Sequence, residues 1–185
     1  MEKAHLHECI LESFDYNGIT TDLVEWDESI WCGKVGYAVD NIDEPDVEKI
    51  MNAFMAVSAS AVVPNKREEY WNVCMSLNYL SDKRPNGVFF GFRVETDEQP
   101  DCYDLIKVPR ALFMRVKICD ETFKALGVEP WTGGIPPYEW IGEYIAPKFG
   151  YKYGADSNPI FEYYGHNKTN DSVEVCYLYV PVEKA

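Results

Sequence analysis

Basic residues are scarce in this sequence and never form a run. Lys and Arg number 17 against 31 Asp and Glu, which gives a formal net charge of −14. A chain with this charge repels phosphate backbones, so we expect no direct binding to nucleic acid. The negative field favours cations, which makes a positively charged small molecule the more natural partner. The same acidity can also serve solubility alone.

Paired cysteines and long apolar runs are missing as well. The six cysteines include no CxxC pair, and most stand in apolar, strand-like runs, which is typical of free thiols in a reducing, cytoplasmic protein. His5 and His7 could share one face of a strand, but no third ligand is in view. The sequence therefore predicts no metal site and no cofactor. No apolar run approaches the roughly 18 residues of a membrane span, so no membrane association is expected.

Aromatic residues, in contrast, are abundant, with Phe 9, Tyr 13 and Trp 5. A chain of 185 residues that is 46% hydrophobic can bury a core, either as one large domain or as two small ones that share it. Tyr and Trp join an apolar body to a polar group, which suits a binding cleft as well as a core.

The first half of the chain predicts the order strand, helix, strand, strand. Ile30–Tyr37 is strand-like, and its two glycines indicate a bulge or a close backbone approach. Asp43–Asp46 is typical of a helix start, and an apolar helix face follows, made of Val47, Ile50, Met51, Phe54 and Val57. Two further strands are predicted at 70–79 and 88–94, joined by a polar turn.

The second half repeats that order about 85 residues later. A strand is predicted at 111–118, a helix at 138–146, and two strands in the last quarter of the chain. Arg115 and Lys117 alternate with apolar residues, which indicates a solvated strand face. We therefore predict an α+β fold of duplicated strand-helix-strand-strand units, at about 29–95 and 105–182. Each unit should form a small antiparallel sheet with a helix packed on it, and a pseudo-two-fold axis should relate the two, with a central cleft at their seam. Residues 1–28 are set apart as an N-terminal extension of a domain at 29–185.

A lone carboxylate, Glu162, stands among aromatic residues in the first of the two last strands. Strand alternation puts Glu162 and Tyr164 on one face and Phe161 and Tyr163 on the other. One face must pack on the helix, which leaves the other for the cleft. Glu162 is then either a solvated edge residue or a partly desolvated carboxylate that gains from a cation.

These last motifs resemble the GyrI-like, or AraC-type, effector-binding domain. The resemblance rests on Pro159–Tyr164, on the ending Val173–Val182 and on the helix Tyr138–Tyr144, and it covers roughly residues 29–184. It implies a duplicated domain that binds small, often cationic and lipophilic molecules, as in multidrug-responsive transcription regulators. By motif, Glu162 is the glutamate that meets the charge and Tyr164 is the matching tyrosine.

Further ligand-binding candidates are aromatic residues of the predicted strands and helix: Trp31, Tyr37 and Trp140. Each is also a natural core residue. No helix-turn-helix segment precedes the domain, so we expect a ligand sensor that works alone or with a regulator or protein partner. Some GyrI-like proteins are described as hydrolases, in which case Glu162 would be the general base; others are gyrase-inhibitory interaction modules. Binding without catalysis is the favoured expectation.

Overall fold

Stretches rich in β-branched and aromatic residues form most of the secondary structure, as expected for strands. The computed structural model describes residues 8–39, 44–66, 71–79, 81, 83–118, 137–155, 157–166 and 173–185. The strands are β1 Glu8–Tyr16, β2 Ile19–Trp26, β3 Ser29–Tyr37, β4 Trp71–Leu77, β5 Gly87–Val94, β6 Asp104–Val108, β7 Ala111–Ile118, β8 Tyr151–Tyr153, β9 Ile160–His166 and β10 Val173–Lys184. Helix α1 is Val47–Ser60, and helical segment α2 comprises Pro137–Trp140, a π-helical turn Ile141–Ile145, and Ala146–Lys148.

All ten strands of the described residues belong to one antiparallel sheet, in the order β1-β2-β7-β10-β9-β4-β5-β3-β6, with β8 also paired to β10. The order strand-helix-strand-strand is present as β3-α1-β4-β5, whereas the described part of the second half, β7-α2-β8-β9-β10, has the additional short strand β8 after its helix. The predicted α+β class is thus confirmed. The units are joined through the β4–β9 pair into one sheet, whereas we expected a small sheet for each half.

The first two strands extend this sheet on the β7 side. Asn17 and Gly18 adopt positive φ angles of 53° and 84°, which suits a tight hairpin turn. β2 pairs with β7, and its Val24 and Trp26 are buried in the core. Residues 8–26 are therefore part of the sheet instead of a separate extension. His5 and His7 lie outside the described residues.

On one face of the sheet, here called the inner face, side chains from opposite ends of the strand order pack against each other. Trp26 of β2 and Trp31 of β3 have ring centroids 6.3 Å apart, although their strands lie near opposite ends of the strand order. Phe161 of β9 and Tyr179 of β10 stack beside them at 4.5 Å. The sheet must curve strongly to bring these rings together, and the central aromatic core lies inside the curve.

Both helices pack on the other, outer face. Asp46 caps α1 by accepting a hydrogen bond from the Lys49 backbone N–H at 3.0 Å. Ile50 of α1 lies over Gly36 of β3, where any Cβ would stand 2.5 Å from its side chain. On the other half, α2 buries Ile141, Ile145 and Ala146 against β7 and β10. None of the described helices has the length and apolar character needed to cross a membrane.

Arg115 corrects one sequence prediction, because it is buried on the inner face and not solvated. Its guanidinium forms ion pairs with Glu8 of β1 and, at 2.5 Å, with Asp22 of β2. It also lies 4.7 Å from the ring centroid of Tyr177, and the Tyr179 hydroxyl donates to Glu8 at 2.8 Å. The N-terminal hairpin supplies the carboxylates that make this burial possible.

Candidate functional site

Glu162 shares the outer face of the sheet with both helices. Its neighbours Phe161 and Tyr163 are 1% exposed and belong to the inner core, so Glu162 points the opposite way. It pairs directly with Leu178 of β10, whose side chain packs under α2. We expected the helix on one face and the cleft on the other. That expectation is wrong, because the inner face is filled by its own rings and the helices take the outer face.

The strip of outer face formed by β4 and β9 lies between the two helices and is here called the seam. α1 packs on β3 and β5, and α2 packs on β10 and β8. The strand order puts β4 and β9 between those two groups. On this strip Ile160 is buried, and four further side chains are partly buried: Cys74, Ser76, Glu162 and Tyr164.

The carboxyl group of Glu162 is partly buried, and no described residue compensates its charge. Among the described residues it has no hydrogen bond and no ion pair, and burial alone raises its pKa from 4.5 to about 7. Cys74 lies directly opposite on β4, and burial, followed by the Glu162 charge, raises the pKa of its thiol to about 12. At neutral pH the thiol is therefore neutral, while the carboxyl group is poised between its two forms.

Two tyrosines that the sequence analysis missed lie near the seam. Tyr79 follows β4 and Tyr138 opens α2, and their rings meet edge to face at 4.8 Å. The Tyr79 hydroxyl donates to Glu139 Oε1 at 2.5 Å. Burial is the main cause that raises the pKa of Tyr138, and the charges of Glu139, Glu44 and Glu162 raise it further.

Tyr138 therefore lies in a negative field to which Glu162 contributes. The sequence had placed Tyr138 at the start of the predicted helix, but no local signal showed that this end of the helix contacts Tyr79 beside the seam.

The remaining predicted aromatic residues lie elsewhere. Trp140 packs edge-on against Tyr16 of β1 at 5.3 Å, on the side of α2 that faces away from the seam. Trp31 is fully buried on the inner face, where its Nε1 donates to Ser29 Oγ at 2.8 Å. Of the predicted set, only Tyr164 shares the strand face of Glu162.

Tyr37 is 46% exposed at the end of β3 and lines a cavity of about 540 Å³. The cavity lies between β3, the segment that follows it and the first turns of α1, and its lining includes Lys34 and Lys49. No described residue of β4 or β9 lines it, so it is separate from the seam. Lys34 is already paired with Asp104 at 3.0 Å.

The described residues contain no candidate metal centre. No three His, Cys, Asp or Glu side chains in those residues approach each other closely enough to hold an ion. The four cysteines described there are free thiols: Cys9, Cys32, Cys74 and Cys102.

Several solved structures share this fold. SAV2435 bound to tetraphenylphosphonium matches with a TM-score of 0.57 at 13% identity, over 88% of this chain and 93% of that one. A putative transcription regulation protein from Staphylococcus aureus MU50 gives 0.55 at 12% identity, over 90% and 99%. The EcmrR C-terminal domain gives 0.54 at 15% identity, over 89% and 98%. No protein-family model matches the sequence, and no curated protein is detectably similar to it. At such identities the likeness is one of fold.

Proposed function

We propose that this chain, which has the GyrI-like effector-binding fold of its structural neighbours, binds a small organic cation in the seam between α1 and α2. The observation that carries this proposal is Glu162, a desolvated carboxylate with no hydrogen bond or ion pair among the described residues. Burying such a group costs stability, and a bound cation would offset that cost by replacing the lost water.

The aromatic residues around Glu162 suit the same ligand. Tyr164 shares its strand face, and Tyr138 lies within its electrostatic reach. A cation over such a ring gains about 0.5 to 2 kcal/mol from the π-electron quadrupole. The Tyr138 hydroxyl also lies in a negative field from three carboxylates, which adds to the attraction for positive charge.

The role we propose is that of an effector domain that senses its ligand for a regulator or another protein partner. Among the neighbours of the same fold, SAV2435 was solved bound to tetraphenylphosphonium, and another is a putative transcription regulation protein. Both descriptions support the proposal by analogy of fold. We retain the sequence-based expectation that the protein works in the cytoplasm.

Calorimetric titration of the purified protein with tetraphenylphosphonium and a neutral analogue, tetraphenylmethane derivatised for solubility, tests this proposal. We expect the cation to bind and the neutral compound to bind at least about tenfold more weakly, since the charge contact is the main gain. Glu162→Gln should remove that difference, whereas Glu143→Gln, an exposed substitution on α2, should not. Equal binding of the cation by the Glu162→Gln variant would contradict the proposal.

Hydrolysis of an electrophilic small molecule is a second candidate function, favoured by one observation. A pKa of about 7 suits a general base at neutral pH, because the carboxylate is then both available and basic enough to take a proton from water. Turnover of an activated ester or epoxide that disappears in Glu162→Gln would support catalysis. Binding without turnover across such a panel would leave the sensor role alone.

A further inference from the structure

An exposed apolar stripe runs along one flank of α1. Val47, Met51 and Met55 follow each other at four-residue spacing and are 46%, 43% and 60% exposed. Their spacing puts them on one side of the helix, here called the methionine flank. The sequence had assigned Val47 and Met51 to the core face, but only Ile50 and Phe54 of that face are buried.

The methionine flank faces the seam. Ile50 lies over Gly36 of β3, and the Phe54 ring lies 5.2 Å from that of Phe92 on β5. Around the axis of α1, the Ile50 side chain therefore points towards β3 and the Phe54 side chain towards β5. β4 and β9 lie beyond β5 in the sheet. The methionine flank lies beyond Phe54 around the helix, so its side chains point towards β4, β9 and α2.

The flank also lies at the level of Glu162 along the strands. Glu162 pairs with Cys74, Cys74 with Phe90, and Phe90 with Lys34, in one row across the sheet. Gly36, which lies under Ile50, is two residues from this row along β3. Phe92, which lies under Phe54, is two residues from the row along β5, on its opposite side. α1 thus passes the Glu162 row in the turn that contains Met51.

From β9 to β5 the sheet spans two strand spacings, about 10 Å. A small cation held at Glu162 is too narrow to reach α1 across that distance. A cation with several aromatic groups is wide enough to touch both. Methionine is flexible and polarisable and makes favourable contacts with aromatic rings, so it suits a wall that adapts to such groups.

We infer that the methionine flank of α1 is the ligand-contacting wall of the seam and that it selects bulky aromatic cations over small ones. The inference rests on the proposed function, because it assumes that a cation binds at Glu162. It adds the assignment of Val47, Met51 and Met55 as specificity-determining residues.

Titrations of four proteins with tetraphenylphosphonium and tetramethylammonium test the inference. The proteins are the wild type, the double variant Met51→Gln/Met55→Gln, Glu162→Gln, and Leu105→Gln as a matched control. Leu105 is 41% exposed on β6, on the far side of β3 from the seam. All the substituted methionine and leucine positions are exposed, so the folded state should tolerate glutamine.

We expect the double variant to bind tetraphenylphosphonium about tenfold more weakly than the wild type, since contacts between sulfur and aromatic rings contribute up to about tenfold each. Tetramethylammonium binding should be unchanged in the double variant, and Leu105→Gln should behave as the wild type. A companion variant, Met51→Leu/Met55→Leu, keeps the apolar wall and should bind within about threefold of the wild type.

The outcomes separate the two ideas. If tetraphenylphosphonium binds in a Glu162-dependent manner but the glutamine double variant binds it as tightly as the wild type, the methionine flank is not the wall and the proposed function stands. If the double variant loses both cations equally, the selectivity is refuted. If the wild type binds neither cation, the proposed function itself fails.

Discussion

Glu162→Gln should stabilise the protein above neutral pH and leave its stability unchanged in mild acid. The folded-state pKa of Glu162 is about 7, against an ordinary value of 4.5. The folded state therefore holds this proton more tightly than the unfolded chain does, and wild-type stability falls as pH rises through the window between these two values. Each pKa unit corresponds to about 1.36 kcal/mol, so the ionised carboxylate costs up to about 3 kcal/mol above that window. Glutamine keeps the shape and removes the charge.

Urea unfolding followed by circular dichroism, at about pH 4.5 and about pH 8, measures the effect. The stability difference between Glu162→Gln and the wild type should grow from near zero at the lower pH to about 2 to 3 kcal/mol at the higher one. Glu143→Gln, an exposed substitution on α2, corrects for the general loss of negative charge. A difference that does not change with pH, or one that Glu143→Gln reproduces, would show that Glu162 is solvated and would remove the physical basis of the site.

Two further predictions concern the same carboxylate and the buried arginine. The ionised fraction of Glu162 rises from roughly a tenth at pH 6 to roughly nine tenths at pH 8, so the cation affinity of the wild type should rise about tenfold over that range. The affinity of Glu162→Gln should not change with pH. Calorimetric titration at each pH measures both. Arg115→Met should lower the free energy of unfolding by about 3 to 5 kcal/mol, since it leaves Glu8 and Asp22 buried without their cation. Arg110→Met, at an exposed ion pair, should have a much smaller effect in the same denaturation assay, because solvent screens that pair.

Local patterns were enough to predict most elements of this fold. Alternation along β9 correctly put Phe161 and Tyr163 on one face and Glu162 on the other, because a strand has only two faces. The order of elements predicted the α+β class. It did not show that β4 and β9 pair directly, because a pairing between halves leaves no trace in the local sequence.

The errors arose where distant residues decide the environment. Arg115 has the alternation of a solvated strand face, but its partners Asp22 and Glu8 are 93 and 107 positions away. Strand alternation likewise gives no information on which face the helices cover, so the helices were predicted on the face opposite Glu162 and lie on the same face. In α2, spacing fixed the helix but not its rotation, which is why Trp140 was predicted for the site and Tyr138 was not.

The position of β10 has a consequence for how the protein folds. β10 is the final strand in this sequence, yet it is the only described strand that links β7, and through it β1 and β2, to β9. Until β10 pairs, no hydrogen-bonded ladder joins the β1-β2-β7 segment to the remaining strands. The aromatic rings of the inner face then cannot pack against each other. Long-range pairings of this kind make folding slow. Before β10 has paired, the chain exposes two open strand edges, at β7 and at β9, and such edges promote aggregation.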